Sequence, residues 1–194
     1  MRVEILMYDG MCEVTAVMAL HALKTAERMG ADVEAELVVA SGETTITGTD
    51  GTVYRALPHW RPAETDALLV SGGWIHDVIA EGTLPRRIAE ARARVGTKLV
   101  VGGVSAGAVI VGAAGLLNGR PATSHHPAFE PLAKYAEVVD ARIVDVGDVI
   151  TAGGGPLAAF DLPLYLLERE LGDPRLAARV EQDLEHDRRG TVWR

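Results

Sequence analysis

The run from Lys98 to Gly107, K-L-V-V-G-G-V-S-A-G, puts a serine hydroxyl at the tip of a glycine-rich turn. Lys98 to Val101 reads as a short buried strand, and Ala106 to Ala114 as a helix of small and apolar residues. A strand that turns sharply into a helix holds a side chain above the end of a sheet, with backbone N–H groups behind it. Ser105 is therefore the first candidate for chemistry, as a nucleophile or as a hydrogen-bonding substrate anchor. The structural alternative is a small polar residue that fills the turn. A serine hydroxyl attacks poorly at neutral pH without a base, and no base stands out in the sequence around it.

A second glycine turn, Gly72-Gly73, follows the apolar run Ala67 to Val70. The backbone N–H groups of Gly73 and Ala106 are the natural donors for an oxyanion hole, since both follow strand ends. Gly72 lets the two backbones approach closely. Trp74, next in sequence, is expected to wall the pocket or to pack. His125 and His126 are the only adjacent histidines. An imidazole titrates near neutrality and serves as acid or base, so both are candidates for proton transfer or for binding. Two neighbouring histidines without cysteines or a carboxylate set do not make a zinc site, and no metal is expected.

The elements that must position these groups are legible as alternation. Val3 to Met7, Val33 to Val39, Ala67 to Val70, Lys98 to Val101, Val138 to Val144 and Val149 to Thr151 read as strands. Helices are expected over about Thr15 to Met29, Leu84 to Val95, Leu157 to Leu171 and Pro174 to His186, with two turns over Ala128 to Lys134. The alternating stretch from Thr44 to Tyr54, around Thr49-Asp50-Gly51, reads as a small hairpin. Apolar strands alternating with helices predict an α/β three-layer sandwich with a mostly parallel sheet. Sites in such sheets gather beyond the carboxyl ends of the strands. Gly72-Gly73, Ser105 and Gly153-Gly154-Gly155 all follow strand ends, which predicts a single pocket. No linker or repeat interrupts the 194 residues, and one domain spanning 1–194 is expected.

Nineteen basic against 27 acidic side chains leave a net charge of −8, which argues against a phosphate-backbone partner. No stretch reaches the roughly 20 apolar residues of a membrane span. The N-terminus is too polar and too short to read as a secretory signal. A single cysteine, Cys12, excludes an internal disulfide. A reducing cytoplasm is the expected location, with neither nucleic acid nor membrane as partner.

Three segments resemble the DJ-1/PfpI superfamily, within the class I glutamine-amidotransferase-like, flavodoxin-like folds. Leu6 to Met11 is similar to that family's first strand and loop, and Ala67 to Gly73 to its strand ending in a glycine pair. The run Gly107 to Thr123 followed by Ser124-His125 is the most specific match. It looks closest to the branch of isonitrile hydratases and the amidotransferase-like domains of AraC-type regulators. Ala152 through Phe160-Asp161-Leu162 to Glu168-Arg169 resembles the late glycine turn and helix.

The resemblance implies a cysteine at the elbow, where this chain has Ser105. It implies an aspartate in the first loop, where this chain has Thr15. Other branches place an acid beside the cysteine, and Glu13 is the matching candidate, expected to share a proton at a raised pKa. Its bland alternative is a helix-start acid favoured by the helix dipole. His125 matches the histidine after the family's G-R-x-A-T run. The implied function is addition of water to a C–N or C–O multiple bond in a small molecule, isonitrile hydratase-like. The alternative is a catalytically silent binding or regulatory protein; a thiol-dependent stress-protective activity ranks third. No cofactor is implied, because G-G-V-S-A-G is neither a Walker sequence nor a dinucleotide fingerprint. A homodimer is expected by resemblance, and no DNA-binding extension is expected after Arg194.

Overall fold

Strands buried on both faces need cover on both, and β5 (Ala67–Val70), β6 (Val100–Val104) and, beyond Arg2, β1 (Arg2–Met7) with its buried Glu4 are of this kind. The computed structural model describes every residue except 41, 43, 56 and 189–191. These three strands lie side by side in a sheet completed by β2 (Glu34–Val39), β9 (Ile143–Asp145), β10 (Val149–Ala152) and β11 (Val192–Trp193). The spatial order is β2-β1-β5-β6-β10-β9-β11. Neighbours from β2 to β10 pair in parallel, β9 runs antiparallel to β10, and β11 runs parallel to β9.

Helices α1 (Glu13–Arg28), α6 (Ala158–Leu171) and α7 (Pro174–Asp183) pack together as one outer layer. Helices α2 (Ile75–Glu81), α3 (Thr83–Val95) and α4 (Gly107–Ala113) form the other, with the short α5 (Phe129–Leu132) against α4. The result is the α/β three-layer sandwich with a mostly parallel sheet that the alternation predicts. The hairpin also forms, as β3 (Ile46–Thr47) paired with β4 (Val53–Tyr54).

The central strand depends on glycine. Successive residues of a strand face opposite sides of the sheet. A Cβ on Gly102 would sit 2.6 Å from a Leu69 methyl and 3.2 Å from Leu162 of α6. A Cβ on Gly103, pointing the other way, would sit 2.7 Å from the Cα of Ala108 in α4. Helices on both faces therefore approach β6 closely. The expected strand over Lys98 to Val101 is displaced for the same reason: Gly102 and Gly103 belong to the ladder, not to the turn, and Gly96–Lys98 coils as a single 3₁₀ turn.

Other elements shift as well. The expected strand Val138 to Val144 is two. Its start, β8 (Glu137–Val138), pairs with β7 (Pro121–Ala122) outside the main sheet, and its end is β9. The chain bends between them, where Val139 donates its N–H to Ala122 and the Ala141 carbonyl accepts from Thr123. Helix α1 begins two residues before Thr15, and α7 stops at Asp183, short of His186. Helix α2 and strand β11 have no counterpart in the sequence reading; each is too short to show a period.

Gly107, the first residue of α4, is the tightest of these contacts, with a Cβ position 2.1 Å from the carbonyl oxygen of Val70. Overpacking at such a site costs about 1–3 kcal/mol. Gly107→Ala is expected to lower the melting temperature by several degrees in a thermal scan. An unchanged midpoint would show that α4 does not lean on β5 as described.

Candidate active site

Ser105 follows β6 directly and takes φ +55°, a left-handed conformation that non-glycine residues rarely adopt. The residue is 5 % exposed. A buried residue in this conformation stores about 1–3 kcal/mol of strain and needs surroundings that over-determine it. Three hydrogen bonds and one close approach supply them. The Ser105 N–H donates to the Ala152 carbonyl at the end of β10 (2.9 Å), and the Ser105 carbonyl accepts from the Ser124 hydroxyl (2.6 Å) and, at 3.3 Å, from the N–H of Ala108 in α4. Gly72 packs against the turn so tightly that a Cβ there would lie 3.1 Å from both the Ala106 nitrogen and the Ser105 Cβ.

The second glycine turn is built by the first loop. Met11 and Gly73 form an antiparallel bridge in which Cys12 N–H donates to the Gly72 carbonyl (2.7 Å) and Trp74 N–H to the Gly10 carbonyl (2.8 Å). Those bonds leave the Gly73 N–H on the opposite edge of its strand, the edge that β6 and the elbow flank. A Cβ on Gly73, at φ +145°, would lie 2.2 Å from the Gly10 carbonyl oxygen. Neither the Gly73 nor the Ala106 N–H finds an acceptor among the described residues. Beneath this junction Tyr8 donates its hydroxyl to the Ser71 carbonyl (2.9 Å). Burial, aided by the Cys12 thiol, pushes that hydroxyl far above its usual range, so Tyr8 stays neutral.

The loop after β7 closes the elbow from the other side. Thr123 N–H donates to the Thr151 hydroxyl (2.9 Å), and a Cβ on Gly153 would strike the Ser124 carbonyl at 2.7 Å. His125, half-buried, follows Ser124, and its ring edge lies 3.8 Å from where a Gly155 Cβ would stand. His125 thus follows the residue whose hydroxyl bonds Ser105, with its ring beside the 153–155 turn. His126 points elsewhere: it is exposed, pairs with the exposed Asp140 at 3.4 Å, and meets the Phe129 ring edge-on.

Glu13 is buried, but its carboxylate is held by the hairpin. It accepts from the Thr49 hydroxyl (2.9 Å), the Asp50 N–H (2.9 Å) and the Thr52 N–H (3.3 Å), and a Cβ on Gly48 would overlap it. Burial opposes its ionisation, yet its own backbone N–H and these three donors outweigh that, and its pKa lies below the ordinary value. The expected raised pKa is thereby corrected: every hydrogen bond it makes favours the charged form. Thr15, also buried, gives its hydroxyl to the Cys12 carbonyl (2.8 Å) at the start of α1. Trp74 is 68 % exposed and lines a separate cavity of about 650 Å³ whose walls do not include Ser105, Ala106 or His125.

One contributor is invisible in the sequence. Arg142 reaches the Gly153 and Gly154 carbonyls (3.2 and 3.3 Å) and pairs with Asp161, which is 1 % exposed and also accepts from His186 Nε2 at 2.7 Å. Arg142 braces the glycine turn after β10. A lone arginine beside an apolar run was its only signal. Among the described residues no group of three or more His, Cys, Asp or Glu side chains is placed to hold a metal, and no helix is long and apolar enough to cross a membrane.

Residues 1–169 match the DJ-1/PfpI family. The chain belongs to that family. Among solved structures, a THiJ/PfpI family protein from Pseudomonas syringae is 25 % identical, with 96 % of this chain and 75 % of that one covered at a TM-score of 0.79. A DJ-1 superfamily protein from Salmonella typhimurium, crystallised as a Cys-to-Ala mutant, is 21 % identical over 96 % and 99 % (TM-score 0.81). An AraC family transcriptional regulator from Pseudomonas putida is 24 % identical over 94 % and 98 % (TM-score 0.77). No curated protein matches the chain significantly. DJ-1/PfpI membership accounts for the shared sandwich and leaves the chemistry of Ser105 to the site itself.

Glu13 supplies a test of the first loop. Because its folded pKa is depressed, its stabilising contribution is complete above the unfolded value near 4.3 and disappears as pH falls through the lower folded value. Glu13→Gln is expected to melt below the parent at neutral pH, with the gap closing as the buffer is taken below about pH 4. A pH-independent gap would mean that the carboxylate's charge is not what the hairpin holds.

Proposed function

We propose that the elbow of this DJ-1/PfpI protein binds a small polarised molecule and adds water across a C–N or C–O multiple bond, in the manner of an isonitrile hydratase. The observation that carries the reading is the pair of N–H groups, Gly73 and Ala106, without an acceptor among the described residues, on adjacent strand ends around a buried, strained Ser105. Preorganised donors of this kind stabilise negative charge that develops during addition, each by roughly 10²–10³ in rate. In this reading Ser105 stands where the relatives carry a cysteine. Its Oγ adds to the electrophilic carbon, the hydroxyl proton passes to His125 and then to the substrate, and water releases the product and restores Ser105. His125 takes this role because the Glu13 carboxylate is committed to the hairpin. Gly72 keeps the elbow open, and Thr15 and His126 are left to helix start and surface.

A second reading has its own support. The Ser105 hydroxyl makes no hydrogen bond to a base among the described residues, and one similar structure is a transcriptional regulator. A silent small-molecule binder that uses Ser105 as an anchor fits both facts.

Ser105→Ala separates the two. If Ser105 is the nucleophile, the variant melts like the parent and turns over an aryl isonitrile at the uncatalysed rate only. If it is an anchor, ligand affinity drops while no turnover is found in either protein. Equal activity and equal affinity in parent and variant would remove Ser105 from the site. Ser105→Cys alone is expected to recover little hydration, because Thr15 occupies the position of the branch's aspartate.

A homodimer is part of the same proposal. Val14 and Val17 on α1 and Val53 on the hairpin are 39 %, 43 % and 48 % exposed, and a second copy would cover them. Light scattering is expected to give about twice 20.6 kDa, and Val17→Asp about half of the parent mass. A monomeric parent would reject the dimer.

A further inference from the structure

The cavity beside Trp74 is walled by residues other than those of the elbow. It has a volume of about 650 Å³ and lies between the first loop, the hairpin, α2 and the start of α3. Met7, Tyr8 and Ile46 lie buried at its floor, and the apolar surface open to a ligand comes from the half-buried Val78 and Leu84. The Tyr8 hydroxyl is spent on Ser71, so Tyr8 offers no free polar group to the cavity.

The rim has the opposite character. Asp77 and Glu81 stand four residues apart on α2, on one face of the helix. Neither forms an ion pair or a side-chain hydrogen bond with the described residues. Asp9, the third acid in the wall, spends one oxygen on the Thr47 N–H (2.7 Å). The one basic residue in the wall among the described residues, Arg87, donates to the Ala40 carbonyl. Three carboxylates therefore face one guanidinium that is already engaged.

Trp74 completes the arrangement. Its backbone is pinned by the bond to Gly10, and a Cβ on Gly10 would touch its Cβ at 3.5 Å, yet the residue is 68 % exposed at the cavity mouth. A large indole left open beside unpaired carboxylates has an electron-rich face available to a cation. An anion would meet the acids, and a purely apolar ligand would leave the like charges of Asp77 and Glu81 unrelieved. We infer that this cavity binds a small organic cation, an alkylammonium or quaternary ammonium, with its charged head between Trp74 and the Asp77–Glu81 face and its alkyl tail on Val78 and Leu84. This inference is independent of the hydration chemistry proposed for the elbow, because Ser105 does not line the cavity.

Calorimetric titration of the full chain with hexyltrimethylammonium, hexylammonium, 1-hexanol and hexanoate tests it at low salt. Both cations are expected to bind saturably at one site, and the alcohol and carboxylate at least about tenfold more weakly. Asp77→Asn with Glu81→Gln, and separately Trp74→Ala, are expected to weaken the cations by about tenfold while the melting temperature holds. Ser105→Ala is expected to leave cation affinity unchanged, whatever it does to turnover. Absence of saturable cation binding, equal affinity for 1-hexanol, or full affinity in the Asp77/Glu81 variant would overturn the assignment. So would conversion of a dimer to a monomer by Trp74→Ala, which would show that a second copy covers the indole. The four-ligand series uses the unmodified chain, so the inference stays testable if a variant fails to fold.

Discussion

Close approach of backbones at the carboxyl end of β6 is the constraint on which the rest depends. Gly102 and Gly103 admit α6 and α4 to opposite faces of one strand, and Gly107 lets α4 start against the carbonyl of Val70. With both faces of the strand occupied within van der Waals contact, the chain has room to turn only sharply, and Ser105 takes the left-handed conformation. Side-chain packing of this density does not deform continuously, which is why a strained residue can persist there.

Three neighbouring strand ends then act on that residue together. The end of β10 accepts its N–H, the loop after β7 donates to its carbonyl, and the glycine pair after β5 presses on its Cβ. Each of these segments is itself held from outside: Gly73 by the first loop, the 123–125 segment by Thr151, and the 153–155 turn by Arg142 and Asp161. Ser105 and its two flanking N–H groups are therefore oriented by backbone contacts spread over most of the chain. Polar side chains near the elbow, Glu13 and Tyr8 among them, serve mainly to fix loops.

The molecule thus separates two environments on either side of the Met11–Gly73 bridge. On one side lie the elbow and its two N–H groups, suited to developing negative charge. On the other lies the cavity of about 650 Å³ with an acidic, aromatic rim, suited to positive charge. Gly10 and Gly73 permit the bridge because a side chain on Gly73 would strike the Gly10 carbonyl.

Much of this was legible in the sequence. Apolar runs without alternation marked strands buried on both faces, glycines after them marked the turns, and those turns do converge around Ser105. The α/β sandwich, the hairpin and the elbow follow from such local patterns, because burial and turn chemistry act over a few residues. Tertiary structure alone decided the rest. The sequence pattern could not tell that Gly102 and Gly103 belong to the strand, since their role comes from the close approach of Leu69 and Leu162 on one face and of α4 on the other, which only folding brings about. Nor could it show that Glu13 is bound by hairpin amides at residues 50 and 52, which depress its pKa instead of raising it. Arg142 and Trp74 stood out by residue type at most; what each does depends on which backbone carbonyls and carboxylates the fold brings to it. A residue's type and neighbours set its conformation, but its charge state and partners are set by groups that only folding places within a few ångströms.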